Sequence, residues 1–220
     1  MGPLPSSGIK DPMRILPDDL RVKHIYQLMT SGLVPRPIAW AGTRSADGID
    51  NLAPFSYFMG VGSAPPSVAI SVVSHPDGRR KDTASNILET EVFTVSLPSL
   101  EQGPEMVGSA AGLPPEQSEF DALGIALVEG DVVPAPRPGG APFAMECRLV
   151  QTVEVGHATM FIGEVVCFHV AEAALSTGRD GNPVVDTAGM QAVGRVGGPY
   201  YAPVEHLVRI MPKPTGKAGR

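Results

Sequence analysis

The chain has 220 residues, enough for one large domain, and Lys+Arg 17 against Asp+Glu 23 leave a formal charge of −6, so no basic stripe is offered to a nucleic-acid backbone. Hydrophobic residues make up 43% and charged residues 18%, apolar enough for a packed core and too weakly charged for a disordered chain. The 25 Gly and 23 Pro exceed what a helical bundle tolerates and imply short strands joined by many loops. No run of about 18 apolar residues is present to span a bilayer; residues 161–170 come nearest and are interrupted by Glu164. The N-terminus lacks the charged and then apolar pattern of a signal peptide, and Cys147 and Cys167 are too few for a disulfide framework. A cytoplasmic protein with reduced thiols is expected, with neither membrane nor nucleic acid as partner.

Residues 1–12 are rich in Gly, Pro and Ser without periodicity, with Met13 a candidate natural start. Residues 1–17 are set aside as an extension, 18–210 are taken as one domain, and 211–220 as a tail. From Asp18 the spacing of Leu20, Ile25, Leu28 and Met29 predicts a short amphipathic helix closed by Gly32. The period then changes: residues 38–44, 49–58 and 67–73 read as strands, the first two joined through Ala46-Asp47-Gly48, whose Asp-Gly pair favours a hairpin turn. Residues 82–90 read as a helix capped by Asp82 or Thr83, with Ile87 and Leu88 inward. A strand at 92–97 and short helices at 101–111 and 115–123 follow. The Pro/Gly-rich stretch 134–142 reads as a surface loop that no regular element crosses. The strongest β signal lies at 144–155 and 158–172, two long runs separated by Gly156-His157. Strands early and late with helices between predict a mainly β fold, an antiparallel barrel with inserted helices rather than a βαβ layout.

Chemistry concentrates in a few places. In His75-Pro76-Asp77-Gly78-Arg79-Arg80-Lys81-Asp82-Thr83, three cations and a hydroxyl precede a predicted helix, and a helix N-terminus with Lys81 and Thr83 suits a phosphate. From those residues alone a solvated basic loop with an ordinary Asp or Thr cap is the favoured reading. Asn51-Leu52-Ala53-Pro54-Phe55-Ser56 is a strand interrupted by Pro54, which leaves backbone groups free to edge a flat heteroaromatic ring, or is simply an edge strand with a bulge. His157 is an exposed turn residue or a proton carrier. Arg195-Val196-Gly197-Gly198-Pro199-Tyr200 is a turn whose Arg195 and Tyr200 can reach an anion and a ring. There is no Gly-x-Gly-x-x-Gly, no P-loop, no Gly-x-Ser-x-Gly, and no metal-ligand spacing such as His-Glu-x-x-His or Cys-x-x-Cys. An enzyme with this inventory relies on a bound organic cofactor for the hard step.

The chain resembles the flavin reductase family of FMN-binding split-barrel proteins, which includes flavoredoxins and the reductase components of two-component monooxygenases. The resemblance rests on Val34-Pro35-Arg36-Pro37-Ile38-Ala39-Trp40, on Asn51-Leu52-Ala53-Pro54-Phe55-Ser56, on Lys81-Asp82-Thr83 with Asn86-Ile87, and on Glu146-Cys147, Gly156-His157, Gly163-Glu164-Val165 and Arg195-Val196-Gly197-Gly198. It implies a homodimer of antiparallel split barrels with FMN, or FAD as the alternative flavin, near the subunit interface. It implies that Asn51, Leu52, Ala53, Pro54, Phe55 and Ser56 line the ring and ribityl side, that Lys81 and Thr83 hold the phosphate with Asp82 at the helix start, and that Arg195 and Tyr200 complete the pocket. The implied reaction is hydride transfer from NADH or NADPH to flavin, with His157 orienting the nicotinamide and reduced flavin passing to a partner monooxygenase. A flavoredoxin-type electron carrier and a non-catalytic FMN-binding barrel are the alternatives.

Overall fold

The computed structural model describes residues 13–208; residues 1–12 of the extension expected at 1–17, and the tail expected at 211–220, lie outside the described residues. The elements run α1 (Val22–Gly32), β1 (Arg36–Pro37), β2 (Ala39–Arg44), β3 (Asp50–Phe55), β4 (Phe58–Ser63), β5 (Pro66–Val73), α2 (Asp82–Thr90), β6 (Val92–Leu97), α3 (Gly103–Gly108) and α4 (Glu119–Leu123). They continue with β7 (Leu127–Val128), β8 (Arg137–Pro138), β9 (Phe143–Val155), β10 (Ala158–Val170), β11 (Leu175–Thr177), β12 (Pro183–Val185), β13 (Val193–Arg195) and β14 (Tyr201–Pro203).

Seven strands form one antiparallel sheet in the order β3-β2-β6-β9-β10-β5-β4. Period-2 alternation builds its inner face: Ala39 and Ala41 on β2, Val68, Ile70 and Val72 on β5, Phe93 and Val95 on β6, and Phe161 and Val165 on β10 all enter one core. Side chains from β3 and β5, far apart in the sheet order, share that core, so the sheet coils into the expected split-barrel form without closing. Gly163 on β10 lies against this core, and a Cβ there would stand 2.5 Å from the Phe93 ring. The outer face of β2 and β3 carries Trp40 and Leu52, which with Ile38, just before β2, pack under Met106 of α3, Phe120 of α4 and Val193.

The long hairpin of β9 and β10 forms as the alternation predicts, turning at Gly156 with φ +58, a left-handed conformation that glycine adopts without strain. Four expectations need correction. Gly32 is the last residue of α1, not its cap; Leu33 follows, with its N–H on the Met29 carbonyl at 3.0 Å. The run 49–58 divides at Ser56 and Tyr57 into β3 and β4. Neither Asp82 nor Thr83 caps α2; the N-cap is Lys81, with no side-chain hydrogen bond. The stretch 134–142 is no surface loop, because Ala135, Pro136 and Pro138 are buried, a short β8 crosses it, and the Pro136 carbonyl accepts the Thr94 hydroxyl at 2.6 Å.

Candidate functional site

β3 is an edge strand, paired with β2 on one side only, which is where a proline such as Pro54 is tolerated. Two adjoining clefts open along it and share Pro54, Phe55 and Ala110 as a common wall.

The first, of about 500 Å³, is lined by Asn51, Ala53, Lys81, Asp82 and Thr83 and closed by residues 109–113. Trp40 positions that closing segment by donating from its indole Nε1 to Ser109 Oγ at 2.8 Å. Because α2 has no side-chain cap, the N–H groups of Asp82 and Thr83 find no acceptor among the described residues, and a positive helix end faces this cleft. Asn51 fixes the Thr83 hydroxyl: its Nδ2 donates to Thr83 Oγ1 at 2.9 Å and to Thr43 Oγ1 at 3.0 Å, and Asn86 Nδ2 reaches the same Thr43 oxygen at 3.1 Å. Lys81 extends its ammonium to 5.8 Å from the Phe55 ring centroid, so its charge lies over the cleft mouth. Glu119 lines the same cleft and accepts the Leu52 N–H at 2.9 Å; burial pushes its carboxyl above the ordinary range, against the pull of that hydrogen bond.

The second cleft, of about 640 Å³, lies between β3, one side of α1 and the β13–β14 hairpin, with Arg36, Ser56, Arg195 and Tyr201 in its wall. Arg195 donates to Tyr201 Oη and to the Gly198 carbonyl at 2.8 Å, and its guanidinium lies 4.6 Å from the Tyr201 ring centroid.

The structure thus brings Asn51, Ala53, Pro54, Phe55, Lys81, Asp82 and Thr83 to one cleft, and Ser56 and Arg195 to its neighbour. Three residues singled out in the sequence line neither. Leu52 points into the outer core, with its N–H already taken by Glu119. Tyr200 is 69% exposed, and its neighbour Tyr201 occupies the expected place beside Arg195. The His157 side chain is exposed in its turn, although its carbonyl accepts the N–H of Ser74, a residue of the α2 cleft, at 2.9 Å. Two further residues gain importance only in the structure: Glu119, whose partner is the Leu52 N–H far back along the chain, and Arg36, which reads in the sequence as one letter of a motif and here binds two carbonyls at the end of α1 and Ser56 Oγ.

Away from the clefts, Glu146, Cys167 and His169 bring ligand-type atoms within 4.8 Å of one another. Glu146 Oε1 is 2.6 Å from His169 Nε2, and the same carboxylate accepts the N–H groups of Asp131, Val132 and Val133. With its four acceptor positions filled, Glu146 acts as a clamp on the 131–133 loop.

The flavin reductase like domain model matches residues 30–192. The chain belongs to that family. A flavin is accordingly its cofactor class, and oxidoreduction its chemistry. The family match spans both clefts apart from the β13–β14 hairpin and the first turns of α1. An uncharacterised protein of Deinococcus radiodurans is 43% identical over 177 residues, covering 79% of this chain and 77% of the relative. Among solved structures, nitrilotriacetate monooxygenase component B from Bacillus cereus aligns with a TM-score of 0.85 at 30% identity, over 91% of this chain and all of that one (100%). A 2-nitrobenzoate 2-nitroreductase of Pseudomonas fluorescens aligns with a TM-score of 0.82, also at 30% identity, over 94% and 100%. Among the described residues no helix is long and apolar enough to cross a membrane.

Proposed function

We propose that the protein is an FMN-dependent flavin reductase that takes hydride from NADH or NADPH and supplies reduced flavin to a separate oxygenase. The observation that carries this reading is the uncapped N-terminus of α2, opening with Lys81 and the Asn51-held Thr83 onto the same cleft as the edge backbone of β3. That donor set fits a flavin mononucleotide: two free N–H groups, a hydroxyl and an ammonium suit a phosphate monoester, and Ala53, Pro54 and Phe55 offer an apolar edge to a flat ring. When bound, the flavin supplies the two-electron carrier. The chain's own groups bind and orient: Lys81, Thr83 and the α2 amides fix the phosphate, β3 fixes the ring plane, and residues 109–113 narrow the cleft. The likeness to a monooxygenase component B supports the supply role.

Two copies of the chain are the proposed working unit. Most apolar residues of α1 remain uncovered among the described residues, with Val22 73%, Tyr26 60% and Leu28 50% exposed, and β4 offers an open sheet edge carrying exposed Met59 and Val61.

Anaerobic mixing of the protein with FMN and either NADH or NADPH tests the reaction. Rapid loss of the visible flavin band is expected; a coloured protein that ignores both nucleotides instead points to the carrier reading. Lys81→Ala is expected to weaken FMN binding by about 1.5 to 3 kcal/mol with the fold intact, and unchanged affinity in a fluorescence titration counts against the phosphate placement. We place His157 beside the nicotinamide, so His157→Ala is expected to raise the apparent KM for the nucleotide more than it weakens FMN. Kinetics equal to the parent's remove His157 from the site.

A further inference from the structure

Among the described residues, three cations, Lys23, Arg36 and Arg195, line the α1 cleft and no Asp or Glu does. Arg36 is 7% exposed. Its Nη1 donates to the carbonyls of Thr30 and Leu33 and its Nε to Ser56 Oγ at 3.3 Å, while Nη2 has no partner among the described residues. Neither Arg36 nor Arg195 pairs with a carboxylate among the described residues, whereas Arg44 pairs with both Asp50 and Glu129. The carbonyl end of α1 offsets part of the charge on Arg36, but a guanidinium buried without a counter-ion is still held at a desolvation cost. The α2 cleft differs, since Asp82 and Glu119 stand there opposite Lys81. The rest of the α1 cleft divides into neutral polar groups on the helix side, such as Tyr26 and Gln27, and an apolar wall of Ile38, Pro54, Phe55 and Met106.

We infer that the α1 cleft is an oxyanion subsite for the second ligand of the flavin reaction. Arg36, Arg195 and Lys23 hold a carboxylate or a phosphate-type group, and the apolar wall takes the flat body attached to it. Only the statement that this ligand meets a flavin rests on the function proposed above; the shared Pro54–Phe55 wall is what would put the two side by side. The anion preference follows from the charge of the cleft alone.

Calorimetric titrations of the protein, each run with and without added FMN, test it with three probes: sodium benzoate, inorganic pyrophosphate and the neutral isostere benzamide. At least one of the anions is expected to bind. Benzoate should bind about tenfold or more tightly than benzamide if the source is an aromatic carboxylate, and pyrophosphate should bind in preference to benzoate if it is a dinucleotide. Lys23→Gln, on the exposed face of α1, and Arg36→Lys, which keeps the charge but loses the fork, should each weaken the preferred anion several-fold. Three results overturn the inference: no heat with either anion, benzamide binding as tightly as benzoate with pyrophosphate silent, or binding abolished by Lys81→Ala and untouched by Lys23→Gln and Arg36→Lys. Absence of FMN binding in the same experiments refutes the flavin placement and leaves the anion result standing.

Discussion

Glu146→Ala should lower the stability of the fold by roughly 3 to 5 kcal/mol, the range expected when one partner of a buried ionic network is removed. Glu146 is wholly buried on β9, and its carboxylate is the acceptor for three consecutive N–H groups at 2.7 to 2.8 Å and for the His169 ring. Deleting it orphans those donors in the interior and releases the loop that covers the outer face of β6 and β9. The same cluster gives acid sensitivity a definite sign. Burial works to raise the Glu146 carboxyl, but hydrogen bonds from His169 and the three N–H groups win and hold it at about 2, below its ordinary 4.5. A folded-state pKa below the unfolded one stabilises the protein above the unfolded value and loses that contribution as pH falls through the folded one. Between about pH 4.5 and 2 the parent should therefore shed stability faster than Glu146→Gln, which has no proton to gain. Urea midpoints measured across that window check it; parallel slopes for the two proteins would show that the clamp is not ionised.

Which parts of this were legible beforehand follows from how local their causes are. The β9–β10 hairpin and α2 declare themselves through side-chain period and turn residues within a dozen positions, and the structure places them within two residues of expectation at their termini. The Asp47-Gly48 turn does likewise, closing on the Ser45 N–H to the Ile49 carbonyl at 2.9 Å and the Ile49 N–H to Ser45 Oγ at 3.0 Å. The stretch 134–142 shows the limit: its prolines say what it cannot form but not where it goes, and Thr94 and the outer sheet face pull it inward. Tyr200 and Tyr201 exchange roles because successive strand residues face opposite ways, so the register of Arg195 against Tyr201 decides which one meets the cation. Arg36 reads as one letter of a motif; its importance depends on carbonyls at the end of α1 and on Ser56, twenty residues away. The apolar stripe of α1 is plain in the sequence, but the described chain covers Leu20 and Ile25 only in part and leaves Leu28 and Met29 exposed.

Asn51→Asp is expected to weaken FMN about a hundredfold or more, about 2.7 kcal/mol at the least. The parent amide donates through Nδ2 to both Thr43 and Thr83, which leaves the Thr83 hydroxyl hydrogen free for an incoming acceptor. A carboxylate at 51 has no such donor, so both hydroxyls turn to donate to it and Thr83 is lost to the phosphate. The new negative charge also lies in the wall of the cleft proposed to hold a phosphate monoester, and repulsion there is only weakly screened. The fold should survive, because two hydroxyls can satisfy the new carboxylate, and thermal unfolding without flavin serves as the control. Riboflavin decides the cause. Lacking the phosphate, it should lose far less affinity than FMN in Asn51→Asp; equal losses for the two would put the effect on the ring side and move the phosphate away from α2.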